Sequence, residues 1–178
     1  MTNHPVSRAL DVLYLACIWI AGLSIAAMSL IIPVGVFARY VLGFGAQWPE
    51  PIAILLMVIF TFFGAAAGYR AGAHIAVGMV TDRLPPSLQR PLAMLVDLLM
   101  IAASLFMVIW GAKLSMETMS QSLAAIPEIP VGLTYAPLPL GGLATLIFVL
   151  EKLFLGPQHG RAVVRFDHEV EAVTDVVS

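Results

Sequence analysis

The side chains that could carry out chemistry are few in this sequence and lie far apart along the chain. Its one cysteine, Cys17, lies inside an apolar run, so it forms neither an intramolecular disulfide nor a cysteine metal motif. His74 has no second metal ligand nearby, and all four histidines fall outside the apolar runs, which argues against haem ligation inside a membrane. No glycine-rich phosphate loop, HExxH motif or nucleophile elbow occurs. The sequence therefore predicts no catalytic residue, no cofactor and no metal site.

The sequence contains four long apolar runs. Asp97 is the only charged residue within them. A helix needs about 20 apolar residues to cross the hydrocarbon core of a bilayer, and each run meets or approaches that length. The composition agrees, with 60% hydrophobic and 11% charged residues. We therefore predict an all-α integral membrane protein with four transmembrane helices. It is a single domain with spans at about residues 12–37, 51–69, 91–112 and 129–150 and a polar tail at 157–178.

The basic residues predict the orientation of the chain. Four spans place both termini on one side, and that side receives seven basic residues: Arg8, Arg70, Arg83, Arg90, Lys152, Arg161 and Arg165. The opposite loops, at about 39–50 and 113–128, carry only Arg39 and Lys113. Because basic residues are retained on the cytoplasmic side during insertion, we expect both termini in the cytoplasm.

Two features are expected near the outer end of the first span. Pro33 removes a helical hydrogen bond and clashes with the preceding turn, which predicts a kink or early unwinding. The segment 39–50 is mostly apolar and carries Tyr40 and Trp48. Aromatic rings of this kind favour the headgroup level, so this segment is expected to lie along the membrane interface.

Prolines are concentrated before and within the start of the fourth span, at Pro127, Pro130, Pro137 and Pro139. Its regular helix is therefore expected to begin near Leu140, after an irregular outer part. Irregular backbone is tolerated at membrane depth only where protein covers it. This part of the span therefore indicates a partner.

A stripe of glycines marks the end of the second span. Gly64, Gly68 and Gly72 are four residues apart, so they form a smooth face that allows another helix to approach closely. The alternative is that small residues are simply frequent in membrane spans.

Asp97 lies about two turns into the third span, roughly 9 Å deep if the helix begins at Pro91. A charge at that depth is costly unless it is paired or close to the headgroups. Interfacial placement or pairing with a loop arginine is therefore favoured over a place in an ion path.

The polar residues follow an order that resembles the DctQ family, the small membrane subunit of TRAP (tripartite ATP-independent periplasmic) transporters. The likeness covers roughly residues 10–155, and it is carried by Phe37-Ala-Arg-Tyr-Val-Leu-Gly43, Trp48-Pro-Glu50, Gly64-Ala-Ala-Ala-Gly-Tyr-Arg-Ala-Gly-Ala-His-Ile75 and Ser122-Leu-Ala-Ala-Ile-Pro127. Two departures stand out. Pro51 replaces a second acidic residue, and Gly78 lies where the family often has a carboxylate.

The resemblance implies a component of a three-part importer in a bacterial inner membrane. In such importers a periplasmic binding protein captures an organic anion, often a carboxylate or a sugar acid. A large twelve-span subunit carries the substrate and sodium sites. The small subunit packs against the large one and enlarges its fixed scaffold. Membrane lipid is the remaining expected partner, and nucleic acid is not expected.

The predicted partner interface consists of Arg39, Trp48, Glu50, Gly64, Gly68 and Gly72. Arg39 and Glu50 bracket the first outer loop and are expected to pair with each other or to meet the large subunit or the binding protein. The alternative is that these two charges only anchor the loop. Trp48 is equally suited to anchor the loop among the headgroups or to contact a partner.

Two residues are predicted to order the inner loop. Arg70 and His74 would do so by bonding to the backbone or to a partner, and the alternative for Arg70 is the basic bias of inner loops alone. A second function also stays open at this point. An unrelated four-span membrane anchor or a self-assembling channel subunit would share the same apolar runs.

Overall fold

The computed structural model describes residues 5–43, 45, 47–72 and 86–156. The elements in chain order are α1 (Pro5–Tyr40), α2 (Pro49–Arg70), α3 (Pro86–Glu117), β1 (Ser122–Leu123), β2 (Ile126–Pro130), α4 (Val131–Tyr135) and α5 (Pro137–Leu155). The predicted site residue His74 and the tail at 157–178 lie outside the described residues. We call the end where α1 and α3 begin and α2 and α5 end the charged end. The opposite end, next to β1 and β2, is the hairpin end.

Four helical stretches are long and apolar enough to cross a membrane: Val6–Tyr40, Pro49–Arg70, Pro91–Glu117 and Val131–Leu155. The prediction of an all-α protein with four transmembrane helices is therefore confirmed. The helices extend beyond the apolar runs at one or both ends. Charged residues in the first or last turn of a helix do not terminate the helix. Helix α1 also continues through Pro33 to Tyr40, so the predicted early unwinding at Pro33 is wrong. Transmembrane helices tolerate proline where nearby groups satisfy the freed carbonyl.

The fourth span is built from two helices preceded by a β-hairpin. Strands β1 and β2 pair antiparallel, with Leu123 opposite Ile126. Helix α4 follows at once, and α5 begins at Pro137, three residues before the predicted start at Leu140. Proline suits the first turn of a helix, where its missing N–H would have no partner in any case.

This chain itself covers the irregular backbone before α5. The Ser115 hydroxyl of α3 donates to the Gly132 carbonyl at 2.7 Å, and the Gly132 amide donates to the Thr118 carbonyl at 3.2 Å. The Val131 amide donates to the Gln121 carbonyl at 2.7 Å. The irregular backbone from which the sequence predicted a partner therefore forms part of its hydrogen bonds with residues at and just after the end of α3.

The four long helices pack in a row rather than in a closed ring. Backbone contacts link α1 to α2, α2 to α5, and α5 to α3. No contact of comparable extent joins α1 to α3 in the described part of the chain. Helices α2 and α5 are therefore central, and α1 and α3 form the two edges of the row.

The buried core lies among α1, α2 and α5 and consists of Tyr14, Cys17, Ala66, Ala67, Tyr69, Ala144, Phe148 and Val149.

The central helices approach each other closely at a glycine. A Cβ atom added to Gly141 of α5 would lie 2.6 Å from the Cβ of Phe62 and 3.0 Å from its backbone carbon. Backbone cannot move aside as a flexible side chain can, so only glycine permits this contact between α2 and α5. Gly22 of α1 provides a contrast, because nothing lies within 4 Å of its would-be Cβ.

Replacing Gly141 with alanine is expected to destabilise the protein by about 1–3 kcal/mol, because the added methyl group forces α2 and α5 apart. Gly22→Ala is the matched control, since it adds the same methyl group to an open position. The measurement is the free energy of unfolding of each purified variant in detergent. Equal stability of the Gly141 and Gly22 variants would contradict the close approach.

Candidate functional site: a buried charge network and a pocket at the hairpin end

A buried arginine joins three helices at the charged end. Arg70, the last residue of α2, donates from Nε and Nη2 to the two carboxylate oxygens of Glu151 in α5, each at 2.6 Å. The same Nη2 donates to Asp11 of α1 at 2.8 Å. The side chains of Arg70 and Glu151 are each only 1% exposed. A planar guanidinium matches a carboxylate in this two-pronged geometry, which fixes orientation as well as distance.

Aromatic rings enclose this guanidinium. Its central carbon lies 5.3 Å from the ring centre of Tyr14 and 5.4 Å from that of Phe148. The two rings contact each other edge to face, with centres 6.5 Å apart. A cation near ring faces gains about 0.5–2 kcal/mol, more where water is excluded. The rings therefore add to the attraction of the carboxylates and keep solvent away from the ion pair.

A third ion pair lies between α5 and α3 at the same end. Lys152 donates from Nζ to Asp97 at 2.6 Å, and the Tyr69 hydroxyl donates to the same carboxylate oxygen at 3.3 Å. Asp97 is thus paired, as the sequence favoured, but its partner is Lys152 of a neighbouring helix and not a loop arginine. Together the three ion pairs, Arg70–Asp11, Arg70–Glu151 and Lys152–Asp97, connect all four long helices.

Arg70 has partners that its predicted role did not name. Its described hydrogen bonds go to side chains of α1 and α5. Residues 73–85 lie outside the described residues, so the ordering of the inner loop by Arg70 and His74 stays a prediction. Sequence reasoning also missed Asp11 and Glu151 as its partners. A signal was present, because both carboxylates flank apolar runs on the side where Arg70 ends the second run. Basic residues determine the orientation of a membrane protein, and acidic residues such as these contribute little to it.

The glycines of the predicted partner interface have different surroundings. A Cβ atom on Gly64 would lie 3.8 Å from that of Ala21, so the described contact of Gly64 is with α1 of the same chain. Gly72 has φ +71° just after α2, and its amide donates to the Tyr69 carbonyl at 3.1 Å. Such left-handed backbone favours glycine and ends helices. Gly68 lies between them on α2, and its partner contact stays a prediction.

The charged and aromatic members of that interface lie at the hairpin end. Arg39 at the end of α1 and Glu50 at the start of α2 are both exposed. The described residues contain no ion pair between them within 4.0 Å, which corrects the proposed mutual pairing. Trp48 precedes α2 and is 42% exposed. Arg39 and Glu50 line a pocket of about 560 Å³, together with Gln47, Ile54, Leu123 and Tyr135 among others.

Five hydroxyl side chains within the spans bond to the backbone of their own helices. Ser24, Ser29, Thr61, Ser104 and Thr145 each donate a hydroxyl hydrogen to the carbonyl four residues earlier, at 2.7–2.9 Å. The described residues contain no group of three His, Cys, Asp or Glu that could hold a metal ion. These hydroxyl groups therefore bond to backbone carbonyls of the same helix. They do not form a connected polar path among the described residues.

The fold and its polar groups define a multi-pass membrane protein whose ion pairs join its own helices. Residues 28–157 match the family model described as Tripartite ATP-independent periplasmic transporters, DctQ component. This match covers more than half of the chain, so the chain belongs to the DctQ family of TRAP transporter subunits.

A curated relative agrees with this assignment. The chain is 27% identical over 150 residues to a Haemophilus influenzae protein named as a TRAP transporter small permease protein. The match covers 84% of this chain and 88% of that protein. The chain is therefore a small membrane subunit of a TRAP transporter and not an enzyme. In general, the family implies association with a large membrane subunit and a binding protein.

Glu151→Gln is expected to lower the free energy of unfolding by about 3 kcal/mol, because it leaves a buried guanidinium without its two-pronged partner. Glu117→Gln is the matched control. Glu117 meets Lys113 at 3.8 Å, with both side chains about 60% exposed, and such pairs contribute about 0.5 kcal/mol or less. The measurement is unfolding of the two variants in a denaturing detergent, followed by circular dichroism. Equal losses in both would show that the buried network does not stabilise the fold.

Proposed function

We propose that this chain is a fixed scaffold that packs against the large twelve-span subunit. In that position it supports sodium-coupled, binding-protein-dependent uptake of an organic anion, such as a carboxylate or a sugar acid. The substrate and sodium sites belong to the large subunit in this proposal. The small subunit contributes no group that moves with the solute.

One observation carries the proposal: five charged side chains at the charged end of the described spans hold neighbouring helices together. Arg70, Glu151 and Asp11 form one cluster, and Lys152 and Asp97 form another. Ionisable residues inside a membrane commonly line the path of a solute or an ion. Here they connect neighbouring helices at one end, which suits a rigid support and does not suit a carrier.

The edges of the row support packing against another membrane protein. Along α3, large apolar side chains are exposed over the whole length of the span, from Met94 at 71% to Met116 at 75%. The outer face of α1 is similar, with Trp19 at 67% and Leu30 at 71% exposed. Such surfaces fit lipid or a companion helix. We place Arg39, Trp48, Glu50 and Gly68 at the contact with the large subunit or the binding protein.

We further propose that both termini lie in the cytoplasm and that the membrane is the bacterial inner membrane. The distribution of seven basic residues against two supports this orientation. The charged end then faces the cytoplasm, and the hairpin end faces the binding protein. An alkaline phosphatase domain fused after Gly156 is therefore expected to be inactive in cells, and an active fusion would contradict the orientation.

Uptake by purified components tests the scaffold role. Vesicles that contain this chain, the large subunit and the binding protein are expected to accumulate the anion when a sodium gradient is applied. Without this chain, uptake is expected to fall to the level of empty vesicles, because the large subunit loses part of its fixed platform. The measurement is accumulation of a labelled anion over time.

Two variants serve as controls for this experiment. Gly68→Leu adds a bulky side chain at the proposed contact and should reduce both the yield of the complex and uptake. Gly68→Ala keeps a small residue at the same position and should reduce both far less. Sodium-driven uptake by vesicles that contain this chain alone would contradict the scaffold role, as would full uptake in its absence.

A further inference from the structure

The pocket at the hairpin end combines an apolar groove with two opposite charges. Its volume of about 560 Å³ lies within the range of about 300–1,000 Å³ that is usual for small-molecule sites. It is bounded by the end of α1, the start of α2, the hairpin and α4. None of the three ion pairs at the charged end involves a residue that lines the pocket, so the pocket is a separate feature of the fold.

The direction of the groove indicates a long apolar occupant. Glu50, Ile54 and Val58 all line the pocket and are spaced four residues apart, so they share one face of α2. At 1.5 Å per residue, this face descends about 12 Å from Glu50 to Val58. The groove therefore leads from a charged rim into the part of the helix that crosses the hydrocarbon core.

The rim offers one cation and one anion that are not engaged with each other. Arg39 and Glu50 are exposed and form no ion pair with any residue in the described ranges. Gln47 lies beside them with an amide that can donate a hydrogen bond. The Thr134 hydroxyl donates to the Val131 carbonyl and is therefore already engaged. The guanidinium of Arg39 and the amide of Gln47 remain as donors that can meet an anionic group.

Aromatic rings place this rim at the depth of the lipid headgroups. Tyr40, Trp48 and Tyr135 lie at the same end of the helices and are 79%, 42% and 39% exposed. Exposed tyrosine and tryptophan favour the boundary between headgroups and acyl chains. The pocket therefore opens at the level of phosphate groups and extends toward the acyl chains.

We propose that this pocket binds a phospholipid with an amine headgroup, such as a phosphatidylethanolamine. The guanidinium of Arg39 and the amide of Gln47 donate to the phosphate, and Glu50 accepts from the ammonium group. One acyl chain follows Ile54 and Val58 along α2. An extended protein segment fits less well, because its backbone groups would need hydrogen-bond partners along an apolar groove. The proposal rests on the pocket alone and does not depend on the scaffold role.

Native mass spectrometry of the full chain in detergent tests this site. The chain is incubated with equal amounts of a phosphatidylethanolamine and a phosphatidylglycerol of the same acyl chains. We expect preferential retention of the amine lipid by the unchanged protein. Glu50→Gln should reduce that preference about tenfold, because a charge-assisted hydrogen bond to the ammonium group is lost. Arg39→Gln should weaken retention of both lipids, because both carry a phosphate.

Two further variants separate this site from general lipid adhesion. Ile54→Trp fills the groove at a residue that is 51% exposed and should reduce retention of both lipids. Lys113→Gln removes a cation at the same end but outside the pocket and should change nothing. Equal retention by the Arg39, Ile54 and Lys113 variants would overturn the proposal.

A separate measurement distinguishes a lipid from a protein in this pocket. Each variant is also assayed for the yield of complex with the large subunit. If Ile54→Trp abolishes complex formation and leaves lipid retention unchanged, a protein segment occupies the groove and the lipid proposal is overturned. If lipid retention is lost and the complex forms normally, the lipid site stands, and Arg39 and Glu50 do not belong to the proposed contact with the large subunit. The scaffold role itself is tested separately by the uptake experiment.

Discussion

A buried guanidinium decides how the helices of this protein can pack. Arg70 lies at the end of α2 and requires carboxylates, since an unpaired charge in such a place is very costly. Glu151 supplies two acceptor oxygens from α5, and Asp11 supplies one from α1. Any arrangement that separated these three helices at the charged end would leave a charge buried without compensation. The pairing thus selects one helix order among those that apolar packing alone would permit.

The other features of the fold are consistent with this order. Small residues of the central helices, such as Ala66, Ala67 and Gly141, lie where α2 and α5 meet their neighbours. The edges α1 and α3 consequently present large apolar side chains outward. In a lipid environment, close packing and hydrogen bonds, rather than the hydrophobic effect, hold helices together. A membrane subunit built in this way has rigid internal contacts and free outer faces for a companion.

The sequence predicted the elements better than their contacts. Span length and the absence of charge sufficed to predict four transmembrane helices, because the bilayer sets the length of each. The partners of Arg70 could not be read in the same way, since Asp11 and Glu151 are 59 and 81 residues away along the chain. The hairpin was also missed, because β1 has two residues and β2 contains prolines, which weaken any strand signal.

A double-mutant cycle at Arg70 and Glu151 tests most directly whether their pairing organises the fold. The unfolding free energies of Arg70→Leu, Glu151→Leu and the double variant are compared with that of the unchanged protein. If the pair acts as one unit, the double variant should lose less stability than the sum of the two single losses, by about 2–3 kcal/mol. Additive losses would show that the two side chains contribute separately, and the arginine would then have no organising role.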